Sequence, residues 1–359
     1  MRWAVVALLL TALPLPVFSA QPVTVAQLER LLQADRGKRD GAVAHQLAGL
    51  EMTERLSSAK VARLEADLPG TRTRQALLLL SDLSAFHDLP AEEIEATAAP
   101  DLAEQQAIMA RAVDYAIQTM HKLPNLFATR NTVLYIDSPP SRLPDLSMVP
   151  YQPLHAAKRS SDTVLYRDGH EVVDSGKQKR KNYDPAAEAL VTRGVFGPLM
   201  GIALKDAAHG SASWSHWEKG ATGPLAVFRF AVPKAMSHYE VSFCCLAQSF
   251  GRNQKFDKIC AYHGELTIDP RDGSILRQTV VADLEKSDPI LSSNILVEYG
   301  TVEIGGRNYI CPVKSVSVWV APVADSTAGL TLLTDADFTG YHLFRSEFRL
   351  LTGKDASDQ

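Results

Sequence analysis

The sequence predicts an α+β protein: an N-terminal antiparallel helical domain followed by a curled, half-barrel-like antiparallel β-sheet domain. Three observations carry that expectation. Apolar residues recur at helical spacing from residue 24 to about 122. From about residue 131 they alternate with a period of two, punctuated by Gly, Asp and Pro turns. Between the two regimes, Pro139, Pro140, Pro144, Pro150 and Pro153 mark an extended, donor-poor segment over 138–160, read as a linker or a wrapping strap.

The chain opens on Met1-Arg2, an apolar run from Trp3 to Leu15, and Val17-Phe18-Ser19-Ala20. This is the layout of a secretory signal peptide over 1–19, with Val17 and Ser19 at the small-residue positions of the cut. The run is short for a bilayer, and no Cys near the cut offers a lipid anchor. A soluble exported protein, periplasmic or extracellular, is expected. About 340 remaining residues favour two domains, placed at 20–128 (helical) and 129–355 (β).

In the helical part, Thr24 is a candidate cap for a helix carrying Val25, Leu28, Leu31 and Leu32, stopped near Gly37. Asp40 is a candidate cap for the next, with Val43, Leu47 and Leu50. Val61 and Leu64 lie on a third helix, closed by Pro69-Gly70. The stretch from Ala76 to Phe86 is apolar nearly all round and is expected to be the most buried. Asp101 is placed to cap a long helix with Ile108, Met109, Ala112, Val113, Ala116 and Met120. Short connections predict antiparallel neighbours.

In the β part, 131–136 reads as the first strand. Residues 162–174 form a hairpin turning at Arg167-Asp168-Gly169. Phe228, Phe230 and Val232 alternate, as do Val241, Phe243 and Cys245. Leu266 and Ile268 run into the turn Asp269-Pro-Arg-Asp-Gly273, and Ile275 starts the return. Val297 and Tyr299 have the opposite parity to Val302 and Ile304, which places a bulge near Gly300. Gly305-Gly306 is a hairpin turn. Pro312 predicts an edge or a second bulge, and Phe344 and Phe348 close a meander of eight to ten strands.

Composition is that of an ordinary globular chain, 46% apolar and 22% charged. Without Arg2 there are 36 basic and 41 acidic residues, a balance unsuited to nucleic acid. Cys244, Cys245, Cys260 and Cys311 are disulfide candidates in an exported chain, with three pairings open and Cys260 favoured in a bridge; buried free thiols are the alternative.

Signatures of chemistry are sparse. His170-Glu171 lacks the second His of a zinc-protease motif, and there is no nucleophile elbow, P-loop or dinucleotide fingerprint. Ser57-Ser-Ala-Lys60 is a short, chance-prone match to S-x-x-K. His209, His216, His238 and His263, the last two placed on strands, form no ligand pattern. No catalytic residue, metal or cofactor is therefore expected. The run from Lys177 to Lys181 reads as a solvated loop, with contact to anionic lipid or polysaccharide as the alternative. Trp214, Trp217, Phe228 and Phe230 form an aromatic hairpin. These rings are either core or the lining of a concave apolar cavity.

Two passages, Tyr262-His-Gly-Glu-Leu-Thr-Ile-Asp-Pro-Arg-Asp-Gly-Ser-Ile-Leu276 and Val297-Glu-Tyr-Gly-Thr-Val-Glu-Ile-Gly-Gly-Arg-Asn-Tyr-Ile-Cys-Pro-Val313, resemble exported, mostly uncharacterised proteins of Acidobacteria-type bacteria. Residues 40–55 and 123–130 are similar to the same group. The rhythm of the β half also resembles outer-membrane lipoprotein carrier and sorting proteins. That resemblance implies a strongly curved sheet holding acyl chains. It implies no ligand residue, because the site in those proteins is apolar lining, and the large helical part departs from the carrier pattern. The expected function is that of an exported, non-enzymatic binding protein holding an apolar or amphipathic ligand, such as a lipid. A structural or interaction protein of the cell envelope, with a protein partner and a solid core, is the alternative, and a hydrolase the third.

Overall fold

Thr24 starts the first helix with two reciprocal hydrogen bonds. Its hydroxyl accepts from the Gln27 amide (3.2 Å) while the Gln27 side chain accepts from the Thr24 amide (2.8 Å), so two orphan donors are satisfied at once. In this computed structural model the described residues are 20–142, 148–172, 198–207, 210–244, 255–322 and 329–344. Residues 1–19, expected to form a signal peptide, the 177–181 cluster, His209, Cys245 and Phe348 lie outside them.

The N-terminal elements are β1 (Gln21–Val23), α1 (Val25–Ala34), α2 (Asp40–Leu47), β2 (Leu50–Met52), α3 (Ser58–Glu65) and α4 (Thr71–Ser84). β1 and β2 pair in parallel. Val25, Leu28, Val43, Leu47, Val61, Leu77 and Leu80 close one core between the four helices. Asp40 does not cap its own helix as the sequence predicts. It is the first residue of α2, and its carboxylate accepts from the Arg72 amide (3.1 Å) and the Thr73 amide (2.8 Å) at the start of α4. Gly70, at the cap of α4, has no side chain to do this, and a Cβ there would lie 2.7 Å from the Asp40 carboxyl. The hydrogen bonds from Thr73 hold Asp40 below the usual carboxylate range. The S-x-x-K match is likewise a cap. The Ser57 hydroxyl accepts from the Lys60 amide (3.2 Å), and Lys60 pairs with Glu29 (2.7 Å).

After β3 (Ile94–Glu95), α5 (Leu102–Lys122) is capped by Asp101, whose carboxylate accepts from the Glu104 amide (2.8 Å). The following strands are β4 (Leu126–Ser138), β5 (Ser141–Arg142), β6 (Met148–Val149), β7 (Gln152–Arg167) and β8 (His170–Val172). Then come α6 (Pro198–Ala207), β9 (Ser211–Lys219), β10 (Pro224–Val232), β11 (Glu240–Cys244), β12 (Lys255–Ile259) and β13 (Ala261–Ile268). The last elements among the described residues are β14 (Ile275–Asp283), β15 (Ser292–Ile304), β16 (Arg307–Ala321) and β17 (Leu330–Leu343). Eleven strands form one open antiparallel sheet in the order β3-β9-β10-β13-β14-β15-β16-β17-β4-β7-β8.

Several turns follow the sequence closely. Asp168-Gly169 and Gly305-Gly306 both take two successive positive φ angles, the geometry of two-residue hairpins whose twist matches their strands. The Pro-rich stretch is less a linker than a hairpin connection. β7 already begins at Gln152, opposite Ser138, and Pro153 is tolerated because that end of β7 pairs on one side only. The bulge expected at Gly300 lies on the partner strand. Glu298 pairs with Lys314 and Tyr299 with Pro312, so Val313 is the extra residue and its side chain covers the Cα of Gly300.

The helices before β4 do not share one core. α5 lays Ile108, Ala112 and Ala116 on one face of the sheet, beside α6 (Ala203, Leu204) and Phe228, Leu266, Val280 and Val297. α4 packs on the other face, where Ala85 and Leu83 meet Leu296, Val316, Val318 and Leu333. The all-round apolarity of residues 76–86 is thus explained: α4 is sandwiched between its sister helices and the sheet.

Charges also line the face that α4 covers. Arg55 is 4% exposed and pairs with Glu218 (2.6 Å) and Glu265 (3.7 Å). Arg277 pairs with Glu265 (3.4 Å) and donates to the Ala85 carbonyl at the end of α4. Lys314 pairs with Asp82 of α4 (2.7 Å) and Asp335 (3.4 Å). Burial pushes Glu265 up, but Arg277, Arg55 and Arg229 together hold it below the usual range. Burial and the neighbouring Arg55 push Arg277 down to about 10.

Candidate functional site

The aromatic hairpin is held by a bulge. Val227 pairs with His216 and Phe228 with Trp214, so Ser215 is the extra residue. Without it, two residues three apart would point to opposite faces; with it, Trp214 and Trp217 share the face of Phe228. The rings then meet edge to face, Trp214 with Trp217 at 4.7 Å and with Phe228 at 5.5 Å between centroids. The Trp217 indole donates to the Ala98 carbonyl (2.9 Å). Phe228 and Phe230 are buried, and both Trp side chains pack on the same core. Phe230 lies opposite Gly264, and a Cβ on that glycine would stand 2.9 Å from the ring and 2.0 Å from the Thr279 carbonyl oxygen. These contacts are those of core packing. Gly264→Ala is expected to destabilise the fold by about 1–3 kcal/mol through overpacking, read as a lower denaturant midpoint. A midpoint unchanged from the parent would show that the pairing of β13 and β14 yields freely there.

The cysteine expectation changes. Cys260 and Cys311 are buried free thiols, so the structure contains no bridge through Cys260. Burial pushes them up to about 11 and about 12, which leaves both protonated and unreactive at neutral pH. Cys244 pairs by its backbone with Lys255.

Of the histidines, His216 is half-buried and lowered by burial. His238 is not on a strand: it follows the 3-10 turn Lys234–Met236 and precedes β11. Its ring Nδ1 lies 2.6 Å from the buried carboxylate of Asp206, which also accepts from the His238 amide (2.8 Å) and the Tyr262 hydroxyl (2.9 Å). That network fixes α6 to the connection before β11. Among the described residues, no group of three or more His, Cys, Asp or Glu side chains is placed to hold a metal ion, and no helix is long and apolar enough to cross a membrane.

A cleft of about 570 Å³, open to solvent, runs between α5 and the tip of the β15–β16 hairpin. From α5 it is lined by Arg111, Asp114, Tyr115, Gln118 and Lys122. From the other side come Asp272 in the turn before β14, and Thr301, Asn308, Tyr309 and Ile310 of the hairpin. One glycine sets the distance between these walls. Gly273 has φ +79°, and a Cβ on it would stand 2.4 Å from the Arg111 carbonyl, so the turn lies directly on the α5 backbone. Asp272 is fixed in that turn by accepting from the Ser274 amide (2.9 Å) and hydroxyl (2.7 Å). Arg111 donates to Glu104 (2.7 Å), while its Nε is buried without a partner.

None of these cleft residues stands out in the sequence. The usable signal was the turn Asp269–Gly273, whose glycine needs a positive φ; that it rests on α5 is a tertiary fact. Comparison of the chain with models of known families, with curated proteins and with solved structures found no match to any of them.

Proposed function

We propose that this protein is an exported, non-enzymatic binding protein whose small ligand sits in the cleft between α5 and the β15–β16 hairpin. The carrying observation is the cleft itself: its volume of about 570 Å³ falls within the range of small-molecule sites. Three elements build it, and the close seat of Gly273 on α5 pre-sets its width. The signal-peptide layout of residues 1–19 supports export. A ligand between the aromatic rings of β9 and β10 is less well supported, since those rings fill one another's contact surfaces.

Native mass spectrometry of the protein isolated from its own host, followed by extraction, tests the proposal. A defined added mass is expected, and it should fall away in Tyr309→Ala while the fold is retained. A bare mass, with no stabilisation by any fraction of the host extract, would overturn the cleft assignment. A stoichiometric protein partner on the bare chain would favour the envelope interaction role instead.

A further inference from the structure

The charge and shape of the cleft bear on what it takes, given the binding role proposed above. The lining holds two cations (Arg111, Lys122) and two anions (Asp114, Asp272), so its charge is balanced. A carboxylate or phosphate ligand would meet repulsion from the two aspartates, and would have to displace Glu104 from Arg111, bonded at 2.7 Å. An acyl chain fits poorly as well. The cleft is a groove open to solvent, and an extended tail would keep much of its apolar surface in water.

The remaining features fit a neutral ligand with many hydroxyls. Each hydroxyl donates and accepts at once, which suits a wall that mixes acceptor-only carboxylates (Asp114, Asp272), amides that do both (Gln118, Asn308) and a guanidinium that only donates. Tyr115 and Tyr309 add aromatic surface for the apolar C–H face of a sugar ring. We propose that the cleft binds a neutral saccharide unit, recognised by paired hydroxyls against the Asp114 and Asp272 carboxylates and the Asn308 amide, with the tyrosines supplying apolar contact.

Calorimetric titration of the full chain tests this with glucose, N-acetylglucosamine and cellobiose as neutral probes, and glucuronate and decanoate as anionic ones. At least one neutral sugar should bind, more tightly than glucuronate. Asp114→Asn and Asn308→Ala, both at exposed positions, should each weaken that sugar by about tenfold with an unchanged melting temperature. Tighter binding of cellobiose than of glucose would mark a polysaccharide chain as the natural source; equal binding would mark a free sugar. If no neutral sugar binds, or if the cleft variants leave binding intact, the saccharide assignment is overturned. Decanoate bound and then lost in the same variants would overturn the saccharide while keeping the cleft as the binding site. Silence from every probe, together with a bare native mass, would remove both.

Discussion

Replacing Lys314 with methionine is expected to destabilise the protein by about 3–5 kcal/mol, the usual cost of removing one partner from a buried ion pair. Lys314 reaches from β16 to Asp82 of α4 at 2.7 Å and to Asp335 of β17 at 3.4 Å, and its side chain is only 20% exposed. Burial works against the lysine charge, but Asp82, Asp335 and Glu298 hold its pKa well above the ordinary value. Without the ammonium, these carboxylates face one another under a helix that keeps water out. The loss should therefore be larger at pH 8, where Asp82 is ionised, than at pH 5, where its carboxyl, pushed up to about 7 by burial, holds a proton. The double variant Asp82→Leu with Lys314→Met should recover much of the loss, because an apolar pair of similar size fits among Ala85, Val316 and Leu333. Urea denaturation at both pH values measures this. A single variant within about 1 kcal/mol of the parent at pH 8 would mean that the pair is solvated and worth what a surface pair is worth.

That belt was invisible in the sequence, and the reason is instructive. Strand alternation sets charged residues of β13 to β16 on the face opposite Leu266, Val280 and Val297, alongside Leu296, Val316 and Val318, and charge on a strand ordinarily means facing water. Glu265, Arg277, Glu298 and Lys314 do occupy that face, but α4 lies over it, so the same pattern describes a buried charged interface. Local features were legible wherever a short-range cause exists. The Thr24 and Asp101 caps, the two glycine hairpins and the 269–273 turn all depend on neighbours within a few residues. The partner choices were not legible. Asp40 caps a helix 30-odd residues on, because Gly70 left that end open, and α5 leaves the other helices because its Ile108-Ala112-Ala116 stripe is small enough to lie flat on the sheet. The bulges at Ser215 and Val313 show the same limit. At Gly300 a change of parity reveals the slip, but which strand holds the extra residue is fixed by the pairing; the Ser215 bulge carries no such mark. The cleft is the extreme case, since its walls come from α5, a turn and a hairpin between 150 and nearly 200 residues apart.

Asp82 gives the belt a pH dependence of unusual sign. Burial raises its pKa, Lys314 opposes that, and Asp335 and Glu298 reinforce it; the outcome is a carboxyl pushed up to about 7. Lys314 does not cancel the shift because it is shared among several carboxylates, while Asp82 alone is sealed on the α4 side at 3% exposure. In the unfolded chain the same group titrates near 3.8. Between those two values the folded state holds a proton that the unfolded state has lost. Stability from this group is therefore greatest below about pH 4, falls as pH rises to about 7, and is flat beyond, with a total change of roughly 4 kcal/mol. Other carboxylates run the opposite way: Glu265 and Asp269 sit below their ordinary values and contribute stability that is lost in acid. The curve for the whole protein mixes these signs, so the difference between the parent and Asp82→Asn is the quantity to measure. Asparagine mimics the protonated acid and can still accept from Lys314. The variant should match the parent near pH 4 and exceed it at pH 8 by several kcal/mol, a stabilisation obtained by deleting one charge of an ion pair. Denaturant midpoints at half-unit steps across that range decide it. A flat difference, or an asparagine variant weaker than the parent at pH 8, would show that Asp82 is ionised in the fold and that its bond to Lys314 outweighs its burial.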